Sequence, residues 1–260
     1  MNINVFHLDA FSSAQFAGNP AAVCPLLTWL PDETMQSIAA EINLSETAFF
    51  VSEEDRFHIR WFTPETEVKL CGHATLASAY VIFKELDYDF DTIEFSSLSG
   101  PLYVNNSHQG LTLNFPVQAI SEVDLTQKIN DALGTTPTKV LAGEDLVAVY
   151  EKQADIESFL PDFFKLKNLP YRGIVITAPG EDSDFVCRFF APAKGVLEDP
   201  VTGSAYTKIT PYWAKRLGKN TLVAKQLSRR GGTVHVELAA NRVLISGRVT
   251  LFSKGTIFLV

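Results

Sequence analysis

One feature constrains this chain more than any other: it says nearly the same thing twice. Residues 60 to 64 read Arg-Trp-Phe-Thr-Pro, and residues 188 to 192 read Arg-Phe-Phe-Ala-Pro, in a chain of 260 residues. Eleven positions after Arg60 stands Cys71, and eleven after Arg188 stands Asp199. Gly72-His73-Ala74 follows the first, and Gly203-Ser204-Ala205 follows the second after three further residues. A five-residue match alone arises by chance, but a match in register with a second motif implies two related halves. Each half then consists of a strand, an aromatic–proline turn, a reactive residue, a glycine and a central helix.

The hydrophobic pattern fits many short strands around few helices. "RFHIRWF" sets Phe57, Ile59 and Trp61 against His58, Arg60 and Phe62, the alternation of a strand. "INVFHLDAF", "AAVCPLL", "TIEFSS", "PLYVNN" and "LTLNFP" predict further strands in the first half. "RGIVITAP", "FVCRFFAP", "TVHVELA", "RVLISGRV" and "GTIFLV" do so in the second. "DETMQSIAAEI" predicts a helix with Asp32 as its N-cap, and "DLTQKINDAL" a second amphipathic one. "HATLASAYVIFKEL" is apolar nearly all round, as a buried helix is. "GSAYTKITPYWAKRLG" predicts a helix disturbed at Pro211.

Charge and composition exclude several classes of partner. A net charge of −8 disfavours nucleic acid and anionic membrane surfaces. No apolar run has the roughly 18 residues of a membrane helix. No basic-then-apolar leader opens the sequence, and three cysteines cannot all pair, so a reduced, cytoplasmic setting is expected. Histidines at 7, 58, 73, 108 and 235 show no metal-ligand spacing, and no GxGxxG or Walker loop is present, so neither a metal nor a nucleotide cofactor is expected. Cys24 and Cys187 lie in apolar strand patterns and read as buried.

The two helix starts carry the chemistry. The first turn of a helix presents unpaired N–H groups and partial positive charge, and a glycine there lets a ligand approach the backbone. Two such starts converging on one cleft would suit an anion or a developing oxyanion.

Taken together, "FAGNPAAVCPL", "NLSETAFF", "RWFTPETEVKLCGHATLASA" and "EDPVTGSAY" resemble the PhzF family of phenazine-biosynthesis isomerases, and the resemblance runs from the first strand to the last. It implies an α/β (α+β) diaminopimelate epimerase-like fold, in which two pseudo-twofold-related domains each wrap a barrel-like, mostly antiparallel sheet around a central helix. Residues 1–117 form the first domain on this reading, completed by a returning strand at 251–260, and residues 118–250 form the second. The active site is expected in the cleft between them. The family members implied are cofactor-free homodimers that move a proton around the ring of trans-2,3-dihydro-3-hydroxyanthranilate. The implied acid/base is Glu46, with His73, Asp199 and Ser204 as site partners. Diaminopimelate epimerases use two opposed cysteines; here Cys71 stands at the first position and Asp199 at the second, so a two-thiol mechanism is not available.

Residue by residue the alternatives are plain. Glu46 by pattern alone is a strand-start glutamate; in the motif it is a carboxyl whose pKa an apolar cleft would raise into the range for accepting and donating a proton. His73 either makes a structural hydrogen bond or holds the substrate, and a helix start disfavours its charged form. Asp199 before Pro200 reads as a turn, or as a contact to the substrate's amine or hydroxyl. Ser204, with Gly72 and Gly203, can cap a helix or donate to a carboxylate. Cys71 and His73 are two apart and do not face each other on a helix, so Cys71 lines the site without an assigned step. Asn19, in the Gly18-Asn19-Pro20 turn, either makes a turn or touches substrate. Arg229 and Arg230 can be solvated or can meet a carboxylate, and Tyr206 can pack or trim the pocket. The expected function is a cofactor-independent isomerase of a small carboxylate-bearing metabolite. The alternatives are an amino-acid epimerase or racemase of the same fold, or a metabolite-binding protein without catalysis.

Overall fold

The computed structural model describes residues 1–107 and 109–259. His108, counted above among the histidines, and Val260, the last residue of the expected closing strand, lie outside the described residues. The chain divides into two units: Met1–Phe115 together with the C-terminal segment from Ser246, and Pro116–Ile245. The crossings fall two and five residues before the expected ones.

The first unit runs β1 (Asn2–Ala10), β2 (Asn19–Leu26), α1 (Asp32–Ile42), β3 (Glu46–Glu53), β4 (Arg56–Phe62), β5 (Glu67–Val68), α2 (Gly72–Glu85), β6 (Thr92–Ser96), β7 (Leu102–Ser107) and β8 (Gly110–Pro116). The second runs β9 (Ser121–Glu122), α3 (Gln127–Leu133), β10 (Lys139–Ala142), β11 (Leu146–Val149), α4 (Gln153–Glu157), α5 (Phe163–Lys167), β12 (Ile174–Pro179), β13 (Phe185–Ala191), a 3-10 turn (Pro192–Lys194), β14 (Val196–Asp199), α6 (Gly203–Leu217), β15 (Thr221–Gln226), β16 (Gly232–Ala239) and β17 (Arg242–Gly247). β18 (Val249–Phe258) then pairs antiparallel along the whole of β1. The class is mixed α/β, many strands with few helices.

The repeat in the sequence is a repeat in topology. β2 pairs parallel with β3, β3 antiparallel with β4, β4 antiparallel with the short β5 and parallel with β6, and β6 antiparallel with β7. The second unit repeats this order with β11, β12, β13, β14, β15 and β16. A parallel pair needs a crossover, and the helices supply it. The two signature arginines do the same work in each unit. Arg60 Nε meets Glu67 at 2.7 Å and its guanidinium lies over Phe62; Arg188 Nε meets Glu198 at 2.7 Å and its guanidinium lies over Phe190.

Matching these pairs corrects one expectation. Arg60 and Glu67 are seven apart, while Arg188 and Glu198 are ten apart, because the Pro192–Lys194 turn inserts three residues before Asp199 rather than after it. Trp61 faces Val68 across its ladder and Phe189 faces Asp199 across its own, so Asp199 occupies the place of Val68. The counterpart of Cys71 is Thr202, since these two are the N-caps of α2 and α6.

α2 is buried nearly all round, and its small residues Ala74, Ala77, Ser78 and Ala79 let it pack across β1, β2 and β3. Beside it, Met35, Ile38, Phe49 and Phe62 form a core cluster with Cys24. The second unit has its own core around Phe159, Phe190, Ile174 and Ile176. Each such side chain, fully buried, contributes roughly 2 kcal/mol. Asp32 is the first residue of α1, not its cap; Pro31 holds the cap position and the Asp32 carboxylate binds Arg60 at 2.8 Å. Pro211 sits inside α6 without ending it. The Thr207 carbonyl that Pro211 cannot serve accepts instead from the Gln118 backbone N–H at 3.1 Å.

Candidate active site

In the first unit the parallel strands β2 and β3 begin side by side, with Ala21 opposite Glu46. Gly18 makes this start possible: its φ is +69°, and a Cβ there would strike the Ala10 carbonyl. Asn19 opens β2, fully buried, with Nδ2 3.2 Å from His73 Nδ1. Glu46 opens β3, and its Oε2 lies 3.3 Å from His73 Nε2. Gly72 and His73 are the first two residues of α2.

Burial pushes the His73 imidazole down to about 4, against an opposing hydrogen bond to the Pro20 carbonyl. The ring is therefore neutral at physiological pH and holds one proton between its two nitrogens. Cys71 departs from expectation. As the cap it has extended backbone, φ −143°, so the helical i, i+2 geometry does not apply and Sγ reaches within 3.5 Å of His73 Nδ1. The carboxylate, thiol and imidazole donors of Glu46, Cys71 and His73 lie within 4.8 Å of one another, a cluster that the scattered histidine spacing did not reveal. Such a set can pass a proton along hydrogen bonds, and its donor types also suit a divalent cation.

In the second unit Asp199 ends β14. Its Oδ2 accepts from Thr202 Oγ1 at 2.5 Å, and its backbone carbonyl accepts from Gln226 Nε2 at 2.7 Å. Gln226, fully buried, also accepts from the Thr202 N–H at 2.9 Å, so one amide pins the whole 199–202 turn. Gly203 and Ser204 open α6, and Ser204 Oγ accepts from Arg172 Nη2 at 3.1 Å. Ser228, in the "SRRGG" turn, donates to the Pro200 carbonyl at 2.8 Å and so packs that turn on the same loop as Arg229 and Arg230 follow. Tyr206 packs: it is fully buried beside Phe185, with its hydroxyl 3.6 Å from the Cys187 thiol. Cys24 and Cys187 are buried, and burial pushes both thiols up to about 12.

The structure thus gathers Asn19, Glu46, Cys71, Gly72 and His73 in one constellation, and Asp199, Gly203 and Ser204 in a second. Sequence reasoning missed Arg172 and Gln226. Arg172 stands two residues before the parallel strand β12, close to the place that Glu46 takes at the start of β3, and that parallel was the available signal.

Comparison with known proteins places the chain. Relatives along its full length carry the name isomerase: an uncharacterized isomerase of Pseudomonas aeruginosa is 50% identical, with both chains covered completely. A phenazine biosynthesis-like domain-containing protein of Homo sapiens is 37% identical over 99% of each chain. The crystal structure of a phenazine biosynthesis protein of the PhzF family from Enterococcus faecalis superposes with a TM-score of 0.98 at 44% identity, covering all of both chains. A probable proline racemase of Agrobacterium radiobacter, 10% identical with a TM-score of 0.66, shares the fold. The family model described as phenazine biosynthesis-like protein matches residues 8–255. The chain is an enzyme of the isomerase class, and it belongs to the PhzF family. Among the described residues, no helix is long and apolar enough to cross a membrane.

Proposed function

We propose that this enzyme moves a proton between two carbons of a small carboxylate-bearing metabolite, trans-2,3-dihydro-3-hydroxyanthranilate or an analogue, with Glu46 as the shuttle and no cofactor. The observation that carries the reading is the 3.3 Å contact between Glu46 Oε2 and a buried, neutral His73. The Glu46 carboxylate takes a proton from one carbon, the electron pair of that C–H bond shifts into the conjugated system, and the carboxyl group, whose proton exchanges with solvent while it is held, protonates a second carbon. Atoms and charge balance without an outside reagent. The neutral His73 ring borders the carboxylate at 3.3 Å, and Asn19 orients the ring. Asp199 and Ser204 hold the substrate's polar groups, and the N–H groups at Gly72 and Gly203 are donors for its carboxylate or for the forming enolate. The working form is a homodimer in this reading.

The epimerase alternative would use Cys71 and Asp199 as an unlike acid/base pair, and full activity of Cys71→Ala would remove it. The test is incubation with trans-2,3-dihydro-3-hydroxyanthranilate in D₂O, followed by proton NMR. Wild type isomerises with deuterium incorporation, and folded Glu46→Gln does neither. Undiminished turnover by Glu46→Gln removes Glu46 from the shuttle role.

A further inference from the structure

We propose that Arg172 is a positioning residue of the second constellation: it fixes the Ser204 hydroxyl as a hydrogen-bond donor aimed at an anionic oxygen of the substrate. A buried Asp145–Lys208 pair holds the guanidinium in place for that task. The inference rests on the carboxylate-bearing substrate proposed above.

The internal repeat shows where Arg172 stands. Thr47 faces Phe62 across β3 and β4, and Ile174 faces Phe190 across β12 and β13, with Arg60 and Arg188 equivalent. One residue before Thr47 is Glu46; one residue before Ile174 is Gly173. At Gly173 a Cβ would strike the Phe189 ring, so no side chain can occupy the counterpart of Glu46. The neighbouring Arg172 supplies the polar group instead. On the helix side, His73 and Ser204 are both second residues of their helices. The Glu46–His73 contact of 3.3 Å in one unit therefore has a counterpart in the Arg172–Ser204 contact of 3.1 Å in the other.

Hydrogen-bond logic sets the role. A guanidinium only donates. Ser204 Oγ must accept from it, so the serine's own proton is directed elsewhere, and among the described residues none accepts it. The charge balance argues against Arg172 itself clamping a carboxylate. Arg172 and Lys208 sit among Asp145 and Glu144, and Asp199 adds its field at Arg172. With two cations among three carboxylates, the guanidinium charge is already neutralised locally.

The support is rigid. Asp145, fully buried, takes both Arg172 Nε at 2.8 Å and Nη2 at 2.5 Å, and its Oδ2 lies 2.6 Å from the fully buried Lys208 Nζ. Burial pushes the Asp145 carboxyl up, but the two cations outweigh it and hold it below the usual range. The Arg172 backbone N–H is tied to the Glu144 carbonyl at 3.0 Å, and its guanidinium lies over the Phe189 ring at 5.4 Å. Lys208 follows Ser204 by four residues, on the same face of α6. Buried charge pairs of this kind contribute little net stability, so the pair's role is assigned here to fixing geometry.

The experiment is a double-variant cycle with Arg172→Gln, Ser204→Ala and the combination, read by calorimetric binding of anthranilate against its neutral amide. Each single variant is expected to weaken anthranilate binding about tenfold, as loss of one hydrogen bond to a charged group does. The combination should be no weaker than Ser204→Ala alone, and Arg172→Lys should recover part of the loss while failing to grip Asp145. Should Arg172→Gln not fold, Arg172→Lys carries the cycle. Full binding by the folded Arg172 variant, multiplying losses in the combination, or no carboxylate binding by wild type overturns the assignment. Absence of turnover with the binding cycle intact strikes the isomerase reading alone; turnover without the coupling strikes this inference alone.

Discussion

His73 should make the protein sensitive to mild acid, and the size of the effect follows from its burial. In the unfolded chain a histidine titrates near 6.5, whereas in the native state burial holds this one at about 4. Between these values the unfolded chain binds a proton that the native state refuses. Stability therefore falls as the pH is lowered through that window, by about 1.4 kcal/mol per pH unit, and is constant again below the native value. Acidification from pH 7 to pH 4 removes roughly 3 kcal/mol through this one residue. Other groups titrate in the same range, so the readout is a difference. Urea midpoints for wild type and His73→Asn are measured at pH 7, 6, 5 and 4. The stability gap between them should shrink by roughly 3 kcal/mol across the series. A constant gap would mean that the imidazole is charged or solvent-accessible in the native state, and the neutral-ring role beside Glu46 would go with it.

Two further outcomes test the scaffold. Arg188→Met strands the Ile156 and Phe159 carbonyls, which its Nη1 binds at 3.1 and 2.8 Å, together with the Glu198 carboxylate; a loss of about 3 kcal/mol in denaturant unfolding is expected, and a loss below about 1 kcal/mol would refute the bracing role. Pro211→Ala should gain less than about 1 kcal/mol rather than the ~3 kcal/mol typical of relieving a helix-interior proline, because the Thr207 carbonyl already has its donor in Gln118.

The sequence showed the halves through Arg60 and Arg188 because each arginine is fixed by an ion pair and an aromatic ring, which constrains several neighbouring residue types at once. It misplaced the gap between the halves. Equal spacing of eleven residues made Asp199 the partner of Cys71, and only the strand ladders show that the Pro192–Lys194 turn shifts the register. Glu46 was legible through the resemblance and not through periodicity, since an acid at a strand start is an ordinary surface residue. Lys208 and Asp145 were invisible for the same reason. A lysine inside a helix reads as solvated, and only the tertiary fold brings a carboxylate to within 2.6 Å of its ammonium. Cys71 was misjudged because a helix rule was applied to a residue that lies just outside the helix.

The pairing of β18 with β1 sets an order of events during synthesis. The second unit is one uninterrupted segment and can complete its own strand ladders as soon as it has left the ribosome. The first cannot. One edge of β1 stays without its partner until residues 249–258 have been made, which at about 5–20 residues per second leaves it open for tens of seconds. An open strand edge is a template for mispairing with other chains. Conditions that stall elongation late in the message should therefore raise aggregation more for this chain than for one whose first strand finds its partner early.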